Sequence, residues 1–293
     1  MSTIRPDRLL LSSDFYSVQG EGVSTGVPSY FVRLGICNLS CGLSRKHMNQ
    51  IVKDKLLEDG EIIVGDLHAE GKATWTCDSL SQWAWRGEDK EFQYLIDRWK
   101  EQGIYDDIKN GNIHIIWTGG EPTIKGHQEA IINFHKYWSQ QTLEEKTGIL
   151  LSTQNIINSV KNYSYDEIET NGTNYIEQSL FNLLNQINCS PKLSNSGQPE
   201  NQRIKPDAIK RIMEHSNYQF KFVISNEEDV KEMFRDFVIP FSIPLKNVVC
   251  MPGLDDAANF EERTRFVLEM GKKYRFRALT RLHIAAWNKT LNV

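Results

Sequence analysis

Apolar, β-rich runs alternate along most of the chain with stretches whose apolar residues recur at helical spacing. The pattern predicts strands at residues 29–36, 113–118, 165–169, 186–190, 219–224, 248–251 and 281–285. Helical spacing fills the intervals at 90–102, 126–140, 175–184, 206–215, 227–237 and 260–273. A strand–helix–strand rhythm of this kind implies an α/β fold with a mainly parallel sheet, open or rolled into a barrel. Reactive residues in such folds sit on loops beyond the carboxyl ends of the strands.

One segment breaks the rhythm. Residues 42–76 are polar and charged, with a short helix predicted at 46–57 and a strand at 61–64. The segment reads as an insertion in a loop, where added length costs little. Residues 192–205 are rich in Ser, Asn, Gly, Pro and Gln and are expected to form another exposed loop. No internal repeat or low-complexity tract is visible. The expectation is one domain over residues 1–293 carrying the 42–76 insertion.

Composition narrows the function classes. Hydrophobic residues make up 40% and charged residues 25%, ordinary usage for a globular chain able to bury a sizeable core. The net charge of −4, from 34 basic and 38 acidic residues, argues against direct nucleic-acid binding, which favours a basic surplus. No apolar run approaches bilayer length, and the apolar stretch at 9–11 is too short for a secretory signal. A cytoplasmic protein without membrane association is expected. Five cysteines, unevenly spread, do not form the pattern of a disulfide framework. In a reducing compartment their uses are metal ligation, catalysis or burial.

Cys37 and Cys41 follow a predicted strand in the string GICNLSC, and Cys77 follows the insertion in WTCDS. Thiolates are the preferred ligands of iron–sulfur clusters, and three of them leave one iron of a 4Fe-4S cube open to another ligand. Two cysteines four apart are also often just small buried residues. Zinc is a further reading, with His47 or His68 joining the thiolates. Cys189 and Cys250 fall inside predicted strands and read as core.

The neighbouring strings separate these readings. FYSVQGEG, FVRLGICNLSC, CDS, TGGEP, ETNGT, SPK and RLH occur in that order from residue 15 to residue 283. The succession resembles the 7-carboxy-7-deazaguanine synthase family of radical S-adenosylmethionine enzymes. TGGEP after a strand is shared by many members of that superfamily, whereas QGEG with CDS and a terminal RLH is far more selective. The resemblance implies an abbreviated (partial) βα barrel, usually dimeric. It implies the conversion of 6-carboxy-5,6,7,8-tetrahydropterin to 7-carboxy-7-deazaguanine with loss of ammonia. It also implies a 4Fe-4S cluster, S-adenosylmethionine, a magnesium ion, and an electron donor such as a flavodoxin.

Carried onto this sequence, the resemblance gives the cluster to Cys37, Cys41 and Cys77. Gly119, Gly120 and Glu121 would meet the methionyl end of S-adenosylmethionine, with Ser190 and Lys192 near its ribose and carboxylate. Glu169, Thr170 and Asn171 would line the same face, although Asn171-Gly172 is equally well explained as a turn. Val18, Gln19, Gly20 and Arg33 would bind the pterin beside Thr118, with Glu21 joining the site or buttressing its loop. Arg33 suits the substrate carboxylate, which a guanidinium meets in two-pronged geometry. His283 would contact substrate or cofactor, against the alternative of a structural histidine on a strand. Ser79 would bind magnesium where the family has a threonine, keeping the hard oxygen donor. No protein side chain is assigned a catalytic role beyond the cofactor radical.

The chain departs from the family at one place. The family's third cysteine stands three positions after its second, and residue 44 is serine here. Cys77, in TWTCDS, restores an aromatic residue, the Asp and a hydroxyl in order, so the insertion falls between the second and third cluster cysteines. Cys41 and Cys77 must then lie close together in space. Competing readings are a glycyl-radical activase of the same superfamily, which gives no reason for QGEG and RLH, and a degenerate relative that has lost its cluster. A plain zinc protein leaves TGGEP and SPK unexplained.

Overall fold

The computed structural model describes residues 4–44, 46–47, 49–50, 57–58, 61–62, 71–77, 87–147, 164–253, 258–288 and 290. Strands β1 (Leu9–Val18) and β2 (Pro28–Leu34) form an antiparallel hairpin. A small antiparallel pair, β3 (Leu57–Glu58) and β4 (Glu61–Ile62), lies within the insertion. β5 (Glu88–Lys90) returns to pair with the start of β1. The remaining strands are β6 (His114–Gly119), β7 (Tyr165–Thr170), β8 (Gln186–Cys189), β9 (Tyr218–Ile224), β10 (Val248–Pro252) and β11 (Arg277–Ala278). Nine of these strands form one sheet in the order β11-β10-β9-β8-β7-β6-β2-β1-β5. From β2 through β11 every pairing is parallel. The expected mainly parallel α/β sheet is present, and β1 and β5 make it mixed.

The strand period of two sorts each strand onto two faces. Tyr30, Val32, Leu34, Ile115, Trp117, Ile168, Ile187, Phe220, Phe222 and Val248 are fully buried and join one apolar core. The helices that cover this face include α1 (Phe92–Glu101), which contributes Leu95, Ile96 and Trp99, and α2 (Lys125–Thr147), which contributes Ile131 and Phe134. Trp99 meets Tyr30, Phe134 and Trp138 edge-on at 5.2–5.8 Å between ring centroids. The alternating residues Phe31, Arg33, Thr118, Glu169, Lys221, Val223 and Met251 face the other way and surround a cavity. The sheet thus keeps one face for the apolar core and gives the other to the cavity.

Several expectations are corrected. The helix over 175–184 shortens to Gln178–Phe181, because Gln128 accepts from Glu177 N and donates to the carbonyl of Tyr175, holding 175–177 out of the helix. The helix over 227–237 keeps α geometry only at Glu227–Met233 (α3) and continues as a π turn, Phe234–Val238. After α4 (Phe260–Tyr274) the strand at 281–285 is instead a helix, α5 (Leu282–Trp287). Leucine and two alanines favour helix there, and β11 already occupies the sheet edge. The helix of the insertion cannot extend to Leu57, which lies in β3. Residues 192–205 are only in part an exposed loop: Ser194, Gly197 and residues 199–202 are exposed, but Asn195, Ser196 and Arg203 are buried, and the segment forms a 3-10 turn at Ser194–Ser196 and one turn of α-helix at Glu200–Arg203.

Candidate functional site

The cavity has a volume of about 460 Å³ and opens at the carboxyl ends of the parallel strands. Its lining includes Val18, Gln19, Gly20, Glu21, Arg33, Thr118 and His283. It also includes Gly119, Gly120, Glu121, Glu169, Thr170, Asn171, Ser190 and Lys192, together with Cys37, Cys41 and Cys77. Residues drawn from strings spread over most of the chain therefore border one space. Ser79 and Asp78 lie outside the described residues, as does His68.

A charged layer crosses the floor. Lys221 Nζ lies 3.0 Å from Glu169 and 3.3 Å from Glu21, and Arg281 Nε lies 3.2 Å from Glu21 on its other side. Glu169 also accepts hydrogen bonds from Gln19 Nε2 (3.3 Å) and Thr118 Oγ1 (2.8 Å). Burial would raise the Glu21 carboxyl, but Arg281, Lys221 and His283 together hold it down to about 2. Burial disfavours the Lys221 ammonium, yet Glu169 and Glu21 raise its pKa above the ordinary lysine value. The floor thus sets Glu21 and Glu169 against the buried side chains of Lys221 and Arg281.

The walls suit a flat ligand. Phe15 and Phe31 stack at 5.0 Å with their planes 7° apart, and the Arg33 guanidinium lies 4.8 Å from the Phe15 ring centroid. Both phenylalanines line the cavity. The QGEG loop is clasped by the C-terminal segment: Leu282 N donates to the carbonyl of Gly20 at 3.0 Å. A Cβ at Gly20 would stand 2.2 Å from His283 Nδ1, so glycine is needed for the histidine to lie where it does.

The Gly-Gly pair has a local cause. Gly119 has φ +105°, and a Cβ there would stand 2.4 Å from the Leu34 backbone; one at Gly120 would stand 1.9 Å from the Ile36 carbonyl oxygen. Gly120 N donates to Leu34 O at 2.7 Å and Glu121 N to Ile36 O at 2.9 Å, extending the β2–β6 ladder into the loop that carries Cys37. Ile36 itself adopts φ 65°, a rare conformation for a β-branched residue, immediately before that cysteine. The Glu121 carboxylate is buried and accepts from Thr123, from Thr170 Oγ1 (2.7 Å) and from Asn171 N (2.7 Å), and burial raises its pKa. Asn171 serves both readings given to it. Its Oδ1 accepts from Thr173 N at 3.0 Å as a turn does, while its Nδ2 reaches Asn38 Oδ1 at 2.9 Å and Cys37 Sγ at 3.9 Å.

All five cysteines are thiols, and Cys189 and Cys250 are fully buried in β8 and β10, as core residues should be. Cys37 Sγ accepts from Leu39 N at 3.5 Å. Burial and then the nearby Glu121 push its thiol up to about 12 in the protein alone; a bound iron would deprotonate it outright. The ends of the insertion do meet, since Cys77 N donates to Cys41 O at 3.2 Å. Ser44 is exposed, and its hydroxyl accepts from His47 N at 3.1 Å. It is not among the residues that line the cavity. Among the described residues no group of three or more His, Cys, Asp or Glu is placed to hold a single metal ion, which leaves the zinc reading without a site there. A 4Fe-4S cluster asks for something different. Its three thiolates bind three separate irons, so they border a common space without converging on one point, as Cys37, Cys41 and Cys77 do.

Sequence reasoning passed over Lys221, Arg281, Phe15 and Phe31. A signal existed for Lys221: in YQFKFVI the alternation places Gln219 and Lys221 opposite Phe220 and Phe222, a lysine on the inner face of a central strand.

The mixed sheet with its cavity at the strand ends fits a fold of the radical S-adenosylmethionine type. The crystal structure of QueE from Escherichia coli superposes with a TM-score of 0.52 at 18% identity, covering 94% of this chain and 95% of that one. In sequence, the chain is a relative of the 7-carboxy-7-deazaguanine synthases. It is 26% identical over 274 residues to the one from Pyrobaculum aerophilum, covering 93% of this chain and 92% of that protein. It is 28% identical over 221 residues to the one from Leptospira interrogans, covering 73% and 70%. No family model matches the chain. The family resemblance read from the motifs thus holds over nearly the whole length.

Proposed function

We propose that this chain is a 7-carboxy-7-deazaguanine synthase, a ring-contracting lyase that converts 6-carboxy-5,6,7,8-tetrahydropterin to 7-carboxy-7-deazaguanine and ammonia. Loss of ammonia balances the conversion, so no net oxidant is consumed. The observation that carries the reading is the gathering of the QGEG, Cys, TGGEP, ETN, SPK and RLH residues around one cavity of about 460 Å³. That size suits small-molecule chemistry. The sequence similarity to named synthases supports the same reading.

In this reading Cys37, Cys41 and Cys77 hold a 4Fe-4S cluster beside S-adenosylmethionine, which together supply the radical that starts the reaction when bound. The 119–121 loop, Ser190 and Lys192 bind the cofactor, and the Glu121 carboxylate fixes that loop to the end of β7. Phe15 and Phe31 offer an apolar wall to the pterin ring, while Arg33 pairs with its carboxylate. Glu21 and Glu169 accept hydrogen bonds from its N–H edge, with Lys221 orienting both and Arg281 orienting Glu21. His283 closes the site over Gly20. Ser79 supplies an oxygen to magnesium. The sheet is an abbreviated βα barrel, the assembly a homodimer, the reductant a flavodoxin-like protein and the setting cytoplasmic. No helix among the described residues is long and apolar enough to cross a membrane.

The test is anaerobic reconstitution with iron and sulfide, followed by incubation with S-adenosylmethionine, magnesium, a reductant and the pterin. Formation of 7-carboxy-7-deazaguanine is expected. Cleavage of S-adenosylmethionine with the pterin unchanged would assign the chain to another reaction of the superfamily, and a protein that takes up no iron would be a degenerate relative.

A further inference from the structure

A cluster ligand that follows a 35-residue insertion cannot be placed by the short loop that carries the other two. The structure shows what takes that loop's place. The neck of the insertion, residues 71–77, rests on the segment 194–197, far away in sequence. Gly42 N donates to Ser196 O at 2.9 Å, and Thr74 N donates to Asn195 O at 2.9 Å. Trp75 Nε1 donates to Asn195 Oδ1 at 3.0 Å, and Asn195 Nδ2 in turn donates to the carbonyl of Val223 at 3.2 Å. The strands of the neck run so close that a Cβ at Gly42, where φ is +87°, would stand 2.5 Å from Thr76 Cα. Lys192 Nζ lies 5.7 Å from the Trp75 ring centroid, on the cavity side.

The platform itself is anchored from behind. Ser194 N donates to Glu232 Oε1 at 2.7 Å, Arg203 pairs with Glu232 at 3.0 Å and with Asp236 at 3.2 Å, and Arg203 also donates to the carbonyl of Lys192 at 3.3 Å. Asn195 and Ser196 are buried. The platform is thus tied to β9 through Val223, to α3 through Glu232 and to the following turn through Asp236. Two residues beyond Trp75, Cys77 closes the neck onto Cys41.

We infer that the Trp75–Asn195 clasp is the positioning device for the displaced cluster ligand: it returns Cys77 to the cavity after the excursion of the insertion. The inference rests on Cys77 being a ligand. Its logic is entropic, since a loop of this length samples many closures and a half-buried indole hydrogen bond to the buried Asn195 selects one. Both act on the cluster through Cys77: Trp75 borders the cavity, and Asn195 stands behind it.

The experiment compares anaerobically reconstituted wild type with Asn195→Leu, Trp75→Phe, Cys77→Ala and Trp138→Phe. The last removes a buried indole hydrogen bond, Trp138 Nε1 to Tyr105 Oη at 3.3 Å, on the helical side of the sheet and serves as the control for general loosening. The readouts are iron and sulfide content, the electron paramagnetic resonance spectrum of the reduced cluster, and the rate of iron loss to a ferrous chelator. Asn195→Leu and Trp75→Phe are expected to lose iron roughly tenfold faster than wild type, to alter the spectrum, and to be no worse in combination than singly. Trp138→Phe is expected to keep both properties of the wild type. Iron retention at the wild-type rate in both clasp variants, with rapid loss in Cys77→Ala, would overturn the clasp while leaving the ligand assignment standing. Retention in Cys77→Ala would overturn the ligand assignment and the clasp with it. None of these readouts depends on pterin turnover, so failure of the proposed reaction is seen separately.

Discussion

Lys221 Nζ lies 3.0 Å from Glu169 Oε1 beneath the cavity, with only 3% of the lysine side chain exposed. The same ammonium reaches Glu21, two hundred positions away in sequence, so one buried cation ties the QGEG loop to the end of β7. Removing one partner of a buried pair leaves an uncompensated charge, which is worse than removing both. Lys221→Met is expected to lower stability by about 3–5 kcal/mol in urea unfolding, and to weaken pterin binding at least roughly tenfold through disorder of Glu21 and Glu169. Lys221→Arg should recover part of both. Unchanged pterin affinity in a folded Lys221→Met protein would show that the lysine serves the fold alone.

Glu21 provides a pH test. Its carboxyl is held to about 2 in the folded chain against 4.5 ordinarily, burial being outweighed by Arg281, Lys221 and His283. A depressed folded pKa contributes stability that is present above the unfolded value and lost as pH falls through the folded one. The stability difference between wild type and Glu21→Gln is therefore expected to be full at pH 7 and to shrink as pH drops from about 4.5 toward about 2. Urea unfolding midpoints of the two proteins along that series check it. A difference that stays constant across the window would mean that the charge on Glu21 contributes nothing.

Two glycines of the site predict opposite failures. A Cβ at Gly120 would meet backbone, the Ile36 carbonyl, at 1.9 Å, so Gly120→Ala should damage the fold and reduce soluble yield or thermal stability. At Gly20 the obstacle is the His283 ring at 2.2 Å, a side chain that can swing away. Gly20→Ala should therefore fold, lose less than about 2 kcal/mol, and bind pterin more weakly because His283 is displaced. Equal stability losses in the two variants would contradict this distinction.

Much of this was readable in the sequence, for reasons that can be named. Period-two alternation in SYFVRLG and HIIWTGG marks both the core residues Val32 and Trp117 and the cavity residues Arg33 and Thr118, because the two faces differ in chemistry. β1 escaped notice because Ser12, Ser13 and Asp14 interrupt its apolar pattern where the β1–β2 register shifts between Leu11 and Ser13. Lys221 and Arg281 escaped because their partners are remote in sequence, and distance along the chain hides an ion pair from any local pattern. Arg281 was also obscured by reading its segment as a strand. The burial of Asn195 and Ser196 was illegible because they look like loop residues until the insertion neck and Glu232 are placed against their segment.

The assignment of Cys77 in place of residue 44 makes the last prediction. Cys77 lines the cavity and is bonded through its backbone to Cys41, whereas Ser44 is exposed and its hydroxyl accepts from His47 N. A cysteine at residue 44 would start from the same exposed position, which does not line the cavity. Cys77→Ala is thus expected to drop bound iron from about four per chain to less than about one, and adding Ser44→Cys to that variant should not restore it. Ser44→Cys alone should keep the wild-type iron content. Iron and sulfide analysis after anaerobic reconstitution reads all three variants. Full iron in the double variant would mean that the chain can still use the short spacing. The insertion would then have displaced a ligand that the fold does not require at Cys77.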